Sequence, residues 1–216
     1  MSLNGDTATM RFRQTHSGSA VAYLRTSFKR ETDEEITKDW TESLTYEFPD
    51  VQLSQFVHNA DEPSTDALSF GYDATAPRHV IHAGDFRIVK IPWYSDYTPD
   101  ASLSAEQRTY PIEREPNLDT VRESIIIDMP EGYEPSGLSR SFVREHPTAT
   151  VRVNTSVNGR TLQIDRVSVL RSAYIKPSDY TAYRTFYNDV VEHDRRYLLL
   201  VPMGTVVKPP SKPAKR

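Results

Sequence analysis

The sequence predicts a β-rich α+β chain: antiparallel, sandwich-like sheets with a few helices packed at their edges. Three observations lead to this. Residues 7–15 and 68–72 alternate apolar and polar side chains with period two, the pattern of half-buried strands. Asn158-Gly159 separates two β-rich runs, and both residues tolerate positive φ, so the pair is a strong hairpin signal. Fifteen Pro, 8 Gly and 12 Tyr in 216 residues favour strands and loops over a helical bundle.

The elements follow in order. Ala8, Met10 and Phe12 share one side of the first strand, with Thr9, Arg11 and Arg13 opposite, and Ser17-Gly18 is expected to end it. Val21, Leu24, Arg25 and Phe28 recur at helical spacing. Thr32-Asp33-Glu34-Glu35 has the form of a capping box, in which Thr32 caps and Glu35 reaches back. Ile36, Trp40 and Leu44 then give the second helix one buried stripe. Strands are predicted at 51–57, 67–72 and 80–91. Residues 92–116 hold four prolines, with Trp93, Tyr94 and Tyr97, and read as a long crossing loop. A strand over 120–129 leads to a turn at Pro130-Glu131-Gly132-Tyr133 and then to the hairpin strands 148–157 and 160–170. Pro177 is expected to open a helix, where its missing N–H costs nothing. Tyr180, Tyr183, Phe186, Tyr187, Val190 and Val191 form a core stripe along it. Residues 197–201 make the last strand.

This order suggests a first β-rich subdomain with two helices (4–91), a Pro/aromatic crossing loop (92–118), and a second β-rich subdomain with a hairpin and one helix (119–203). One continuous sandwich is the alternative. The basic Pro-rich tail, 204–216, cannot build a core and is expected to be extended or disordered. Met1-Ser2-Leu3 reads as an added leader, and no signal peptide follows it.

Composition excludes several functions. The chain has no cysteine, which removes disulfides, cysteine-based zinc sites and thiol nucleophiles together. Net charge is -4, which argues against a generic nucleic-acid binder. No apolar run is long enough to span a bilayer. Ten acidic residues between Glu31 and Glu62 face one basic residue, Lys38, and read as a solvated surface. Gly-x-Ser-x-Gly, a phosphate loop and a dinucleotide fingerprint are all absent. His79-Val80-Ile81-His82 with Asp85 has the residue types of a metal site. On a strand, however, positions i and i+3 point to opposite faces, so no metal is assigned. A hydrolase built on two converging carboxylates remains a third reading, with no motif to support it. No cofactor is implied.

The binding feature that stands out is Ile91-Pro92-Trp93-Tyr94-Ser95-Asp96-Tyr97. Three rings within five positions, stiffened by proline, could stack on a sugar or anchor a peptide. Trp93, Tyr94 and Tyr97 would supply the surface and Asp96 a hydrogen bond. The competing reading is that Trp93 and its neighbours plug the seam between the two halves.

The second half also carries an ordered set of features. Asp128-Met129-Pro130-Glu131-Gly132-Tyr133 precedes the hairpin, and Ile175-Lys176-Pro177-Ser178-Asp179-Tyr180-Thr181-Ala182-Tyr183-Arg184-Thr185-Phe186 follows it. This resembles the C-terminal region of unknown function in bacterial transglutaminase-like proteins. In the first half, Asn4-Gly5-Asp6, Gly18 with 20–25, and Leu68-Ser69-Phe70-Gly71-Tyr72 are similar to the segment that follows the core of those proteins. The resemblance implies a non-catalytic accessory module in the periplasm or at the cell surface. Its partner would be the transglutaminase-like core of the same polypeptide, which carries the family's catalytic residues. A stand-alone carbohydrate- or peptide-binding module is the alternative.

Overall fold

The computed structural model describes residues 1–46, 48–62, 66–93, 97–114, 119–171 and 173–205. In chain order the elements are β1 (Ser2–Asn4), β2 (Thr7–Gly18), α1 (Ala20–Arg30), α2 (Asp33–Thr45), β3 (Gln52–His58), β4 (Ala67–Ala76), β5 (Val80–Ala83) and β6 (Phe86–Lys90). After a 3-10 turn at Ala101–Leu103 come β7 (Ile112–Arg114), β8 (Asp119–Asp128), β9 (Tyr133–Ser136), β10 (Ser141–His146), β11 (Ala149–Asn158) and β12 (Thr161–Leu170). β13 (Ala173–Ile175), α3 (Tyr180–Asp194) and β14 (Tyr197–Pro202) complete the chain. The β-rich α+β class expected from sequence is the class observed. No helix among the described residues is long and apolar enough to cross a membrane.

Eight strands form one sheet in the order β10-β11-β12-β8-β1-β2-β4-β3. It takes strands from both sides of the crossing loop, because β2 pairs antiparallel with β8 from Gly18–Asp119 to Gln14–Glu123. Four strands, β5-β6-β14-β9, form a second sheet, and β13-β7 a third small one. In β2, β8 and β12 every second residue is buried: Met10 and Phe12, Ile125 and Ile127, Leu162 and Ile164. That face meets α1, α2, α3 and the buried Val80, Val89, Leu198 and Leu200 of the four-stranded sheet in one continuous core. On the opposite face of the eight-stranded sheet the residues are exposed or half-buried, apart from Gly71 beneath Arg13, and no described helix or strand lies over them.

Several local rules operate as expected. Thr32 Oγ1 accepts the Glu35 N–H at 3.3 Å, and the Thr32 N–H donates to the Glu35 carboxylate at 2.8 Å. Those contacts hold the Glu35 carboxyl below its ordinary range. Gly159 takes φ +57 in the β11–β12 hairpin. Phe28 of α1 and Trp40 of α2 close over Phe56 and Phe70 with ring centroids 5.1 to 5.9 Å apart.

Others are corrected. Residues 80–91 are a hairpin rather than one strand, because Gly84 at φ +62 turns the chain. β2 ends at Gly18 as expected, but pairing with β8 carries it past the predicted bound of residue 15. Within the segment read as a leader, Met1 and Leu3 are buried, and β1 pairs with Thr7–Thr9. Pro177 lies in the turn before α3, which begins at Tyr180. The tail from residue 206 onward lies outside the described residues.

Candidate functional site

Two features lie back to back through the middle of the eight-stranded sheet. The first is on the covered face. The alternation that buries Met10 and Phe12 also buries Gln14 and His16. On β8 it buries Glu123, and on β12 Arg166 and Ser168. Register sets Gln14 opposite Glu123, and Glu123 opposite Arg166, in one row across three strands.

Arg166 is the hub. Its Nε donates to Glu123 Oε2 at 2.7 Å, and its Nη2 pairs with the same oxygen. Its Nη1 donates to Asp194 Oδ2 at 2.6 Å. Asp194, the last residue of α3, also accepts the Tyr97 backbone N–H at 3.0 Å. The Trp93 ring faces the guanidinium, 4.2 Å from centroid to Cζ. One side chain therefore ties the sheet, the end of α3 and the segment after β6 together. Taking such ions out of water costs several kcal/mol each, so these contacts are needed to hold them there. Beside the hub, the Gln14 amide, Ser168 Oγ and Trp93 Nε1 have no hydrogen-bond partner among the described residues. Among the described residues no base bonds Ser168, and the Arg166, Glu123 and Asp194 side chains are closed to solvent. Its chemistry is positional: it fixes the register of β2, β8 and β12.

The second feature is a groove of about 640 Å³ on the open face. Arg13, Thr15, Val57, Arg122, Asp165 and Val167 line it. Arg122 stands in the middle, opposite Thr15 on β2 and Val167 on β12. Thr15 and Ser69 bond through their hydroxyls at 2.8 Å. Gln163 Nε2 donates to both Asp165 oxygens, at 3.1 and 2.9 Å. Arg13 lies over Gly71 and donates from Nη1 to the carbonyls of Phe12 and Tyr72, at 2.6 and 3.2 Å. Only a residue without a side chain allows that: a Cβ at position 71 would stand 2.2 Å from the Phe12 oxygen. The β2–β8 ladder stops at Gln14–Glu123, and β1 enters between the two strands further along. The sheet thus forks at the groove floor. Arg122, exposed in the groove, makes no hydrogen bond or ion pair among the described residues.

The residues singled out from sequence fall elsewhere. Trp93 is 5% exposed beneath Arg166, so it offers no open stacking surface; burial of its ring in the core overrides the exposure expected of a loop. Tyr97 is half-buried and packs edge-on against Tyr187 at 5.4 Å. Tyr94 and Asp96 lie outside the described residues. His79 and His82 diverge: His79 Nε2 bonds the Lys90 carbonyl at 2.9 Å, and His82 Nε2 lies 2.6 Å from Asp6. Sequence reasoning passed over Gln14, Glu123, Arg166, Asp194 and Arg122. The signal was present for three of them: Gln14, Glu123 and Arg166 occupy inward positions of strands whose other inward residues are Phe12, Ile125 and Ile164.

Comparison with known proteins adds the following. No curated protein matches the chain. A solved structure of a "putative protease" from Parabacteroides distasonis is similar at 22% identity and a TM-score of 0.43. The similarity covers 53% of this chain and 23% of that one, so this chain spans about a quarter of its length. The model of one family, described as Domain of Unknown Function with solved-structure structure (DUF3858), matches residues 88–200. That stretch runs from β6 through the hub residues Trp93, Glu123, Arg166 and Asp194 into β14, and the chain belongs to this family of unknown function.

Proposed function

We propose that the chain is a non-catalytic accessory module of a larger transglutaminase-like protein in the periplasm or at the cell surface, and that it packs on the catalytic core of that protein. The observation that carries this reading is the open face of the eight-stranded sheet. A sheet of this size exposes one face while the other buries the whole core, and the exposed face holds a groove where the strands fork. Apolar Val57 and Ile126 remain 49% and 47% exposed on it. The absence of any cysteine supports a module that leaves chemistry to its partner. Burial of Trp93 weighs against the alternative of a stand-alone glycan- or peptide-binding module.

Labelling tests the proposal. The chain has no cysteine, so Ser124→Cys on the open face and Ser178→Cys ahead of α3 each provide a single reporter. Adding the transglutaminase-like core in trans should slow maleimide labelling at position 124 and leave position 178 unchanged. Equal rates at position 124 with and without the core would overturn the reading.

A further inference from the structure

We infer that the groove recognises a carboxylate, carried by an acidic side chain of an extended segment, with Arg122 as the residue that reads it. This rests on the docking reading above and names the chemistry of its occupant. The argument is charge complementarity. Arg11 and Arg13 on the same face are matched by Asp73, at 3.2 and 3.5 Å, and Arg152 by Glu145 at 2.6 Å. Of the two acids that line the groove, Glu123 is paired with Arg166 and Asp165 accepts from Gln163. Arg122 alone among these groove and face cations has no acid among the described residues, although it stands at the groove's centre. A guanidinium fork matches a carboxylate with two parallel hydrogen bonds. The flanking Val57 and Val167 suit the apolar neighbours of such a residue in an extended segment, and the Thr15–Ser69 hydroxyl pair lies next in the row. One Arg without an acid partner among the described residues, beside hydroxyls and valines, suits a carboxylate better than a doubly charged phosphate, which normally draws several cations.

The test uses the whole chain and two capped peptides, Ac-Val-Glu-Val-Glu-Val-NH2 and its Gln counterpart, titrated at low salt and followed by amide NMR shifts. The Glu peptide should move the Thr15, Arg122 and Val167 signals, and Arg122→Gln should weaken it about tenfold, the scale of one charge-assisted contact. Arg152→Gln should leave affinity unchanged. Equal affinity for the Gln peptide, absence of shifts at those three residues, or tighter binding of inorganic phosphate would overturn the inference. The docking reading fails separately. If the core protects position 124 equally in wild type and in Arg122→Gln, docking stands and the carboxylate does not. If the Glu peptide binds through Arg122 while the core never protects position 124, the site stands and the core is not its occupant.

Discussion

Arg166 and Trp93 meet face to face, guanidinium to ring at 4.2 Å, in a part of the core that excludes water. The contact joins a strand of the second half to the end of the segment that leaves the first. A cation against a desolvated indole face is favourable by about 2 kcal/mol, on top of the area the ring buries. Replacing Trp93 by Ala should therefore lower stability by about 3–5 kcal/mol in a denaturant titration. A change below about 1 kcal/mol would mean that the indole is not a core element.

The hub behaves asymmetrically. Arg166→Met leaves Glu123 and Asp194 as buried carboxylates without their cation, and should cost about 3–5 kcal/mol. Removing a carboxylate as well, in Glu123→Leu with Arg166→Met, should recover part of that loss, because one fewer charge is stranded. A double variant less stable than Arg166→Met would contradict the arrangement described.

Gly71 makes room for Arg13. Gly71→Ala should destabilise the sheet by about 1–3 kcal/mol, because the new Cβ meets backbone as well as a movable side chain. Arg13→Ala in the same background should relieve the side-chain clash but not the contact with the Phe12 carbonyl. Only partial rescue is expected, read as the midpoint of thermal melting.

Phe186 lies on the inward face of α3 at 4% exposure, beside Tyr183 at 3%. Phe186→Ala should cost about 3–5 kcal/mol. Glu192→Ala, on the exposed side, is the control and should change stability by less than about 0.5 kcal/mol. Similar losses for the two would place the wrong face inward.

Acidification should weaken the fold through two histidines. Burial lowers His79 and His146 from their ordinary value of 6.5. Each is neutral in the folded chain at a pH where the unfolded chain already binds a proton. Their contribution is fully present above about 6.5 and is lost as pH falls from there through the folded-state values. Stability measured from pH 7.5 down to 5 should decline, and His79→Gln should flatten part of that slope. An unchanged slope would remove His79 as a source.

Much of this architecture is written in local patterns. The Thr32–Glu35 capping box, the Asn158-Gly159 hairpin and the aromatic stripe of α3 act within a few residues, so spacing alone reveals them. What spacing does not reveal is which strand pairs with which. The β2–β8 ladder spans more than a hundred residues and places Gln14, Glu123 and Arg166 in one row. Short strands such as β9 and β10 were missed because four to six residues beside Pro135, Gly137 and charged neighbours give too little alternation. Sequence left the Trp93 segment with two readings for a related reason: proline and aromatic clustering suits a buried plug as well as an exposed loop, and only the position of Arg166 places the Trp93 ring in the core. Arg122 has no signature of its own; its meaning comes from the register that sets it in the groove, where no described acid pairs with it.

The shared sheet has a consequence for how the chain can be divided. Residues 1–91 alone would leave β2 without β8, and residues 119–205 alone would leave β8 without β2. Each piece would then present a bare strand edge, ready to pair with whatever strand it meets. The two pieces are thus natural complements, each the preferred remedy for the other's exposed edge. Heritable change at this seam must be concerted, since a one-residue slip in either strand would turn its inward polar residue to the outside.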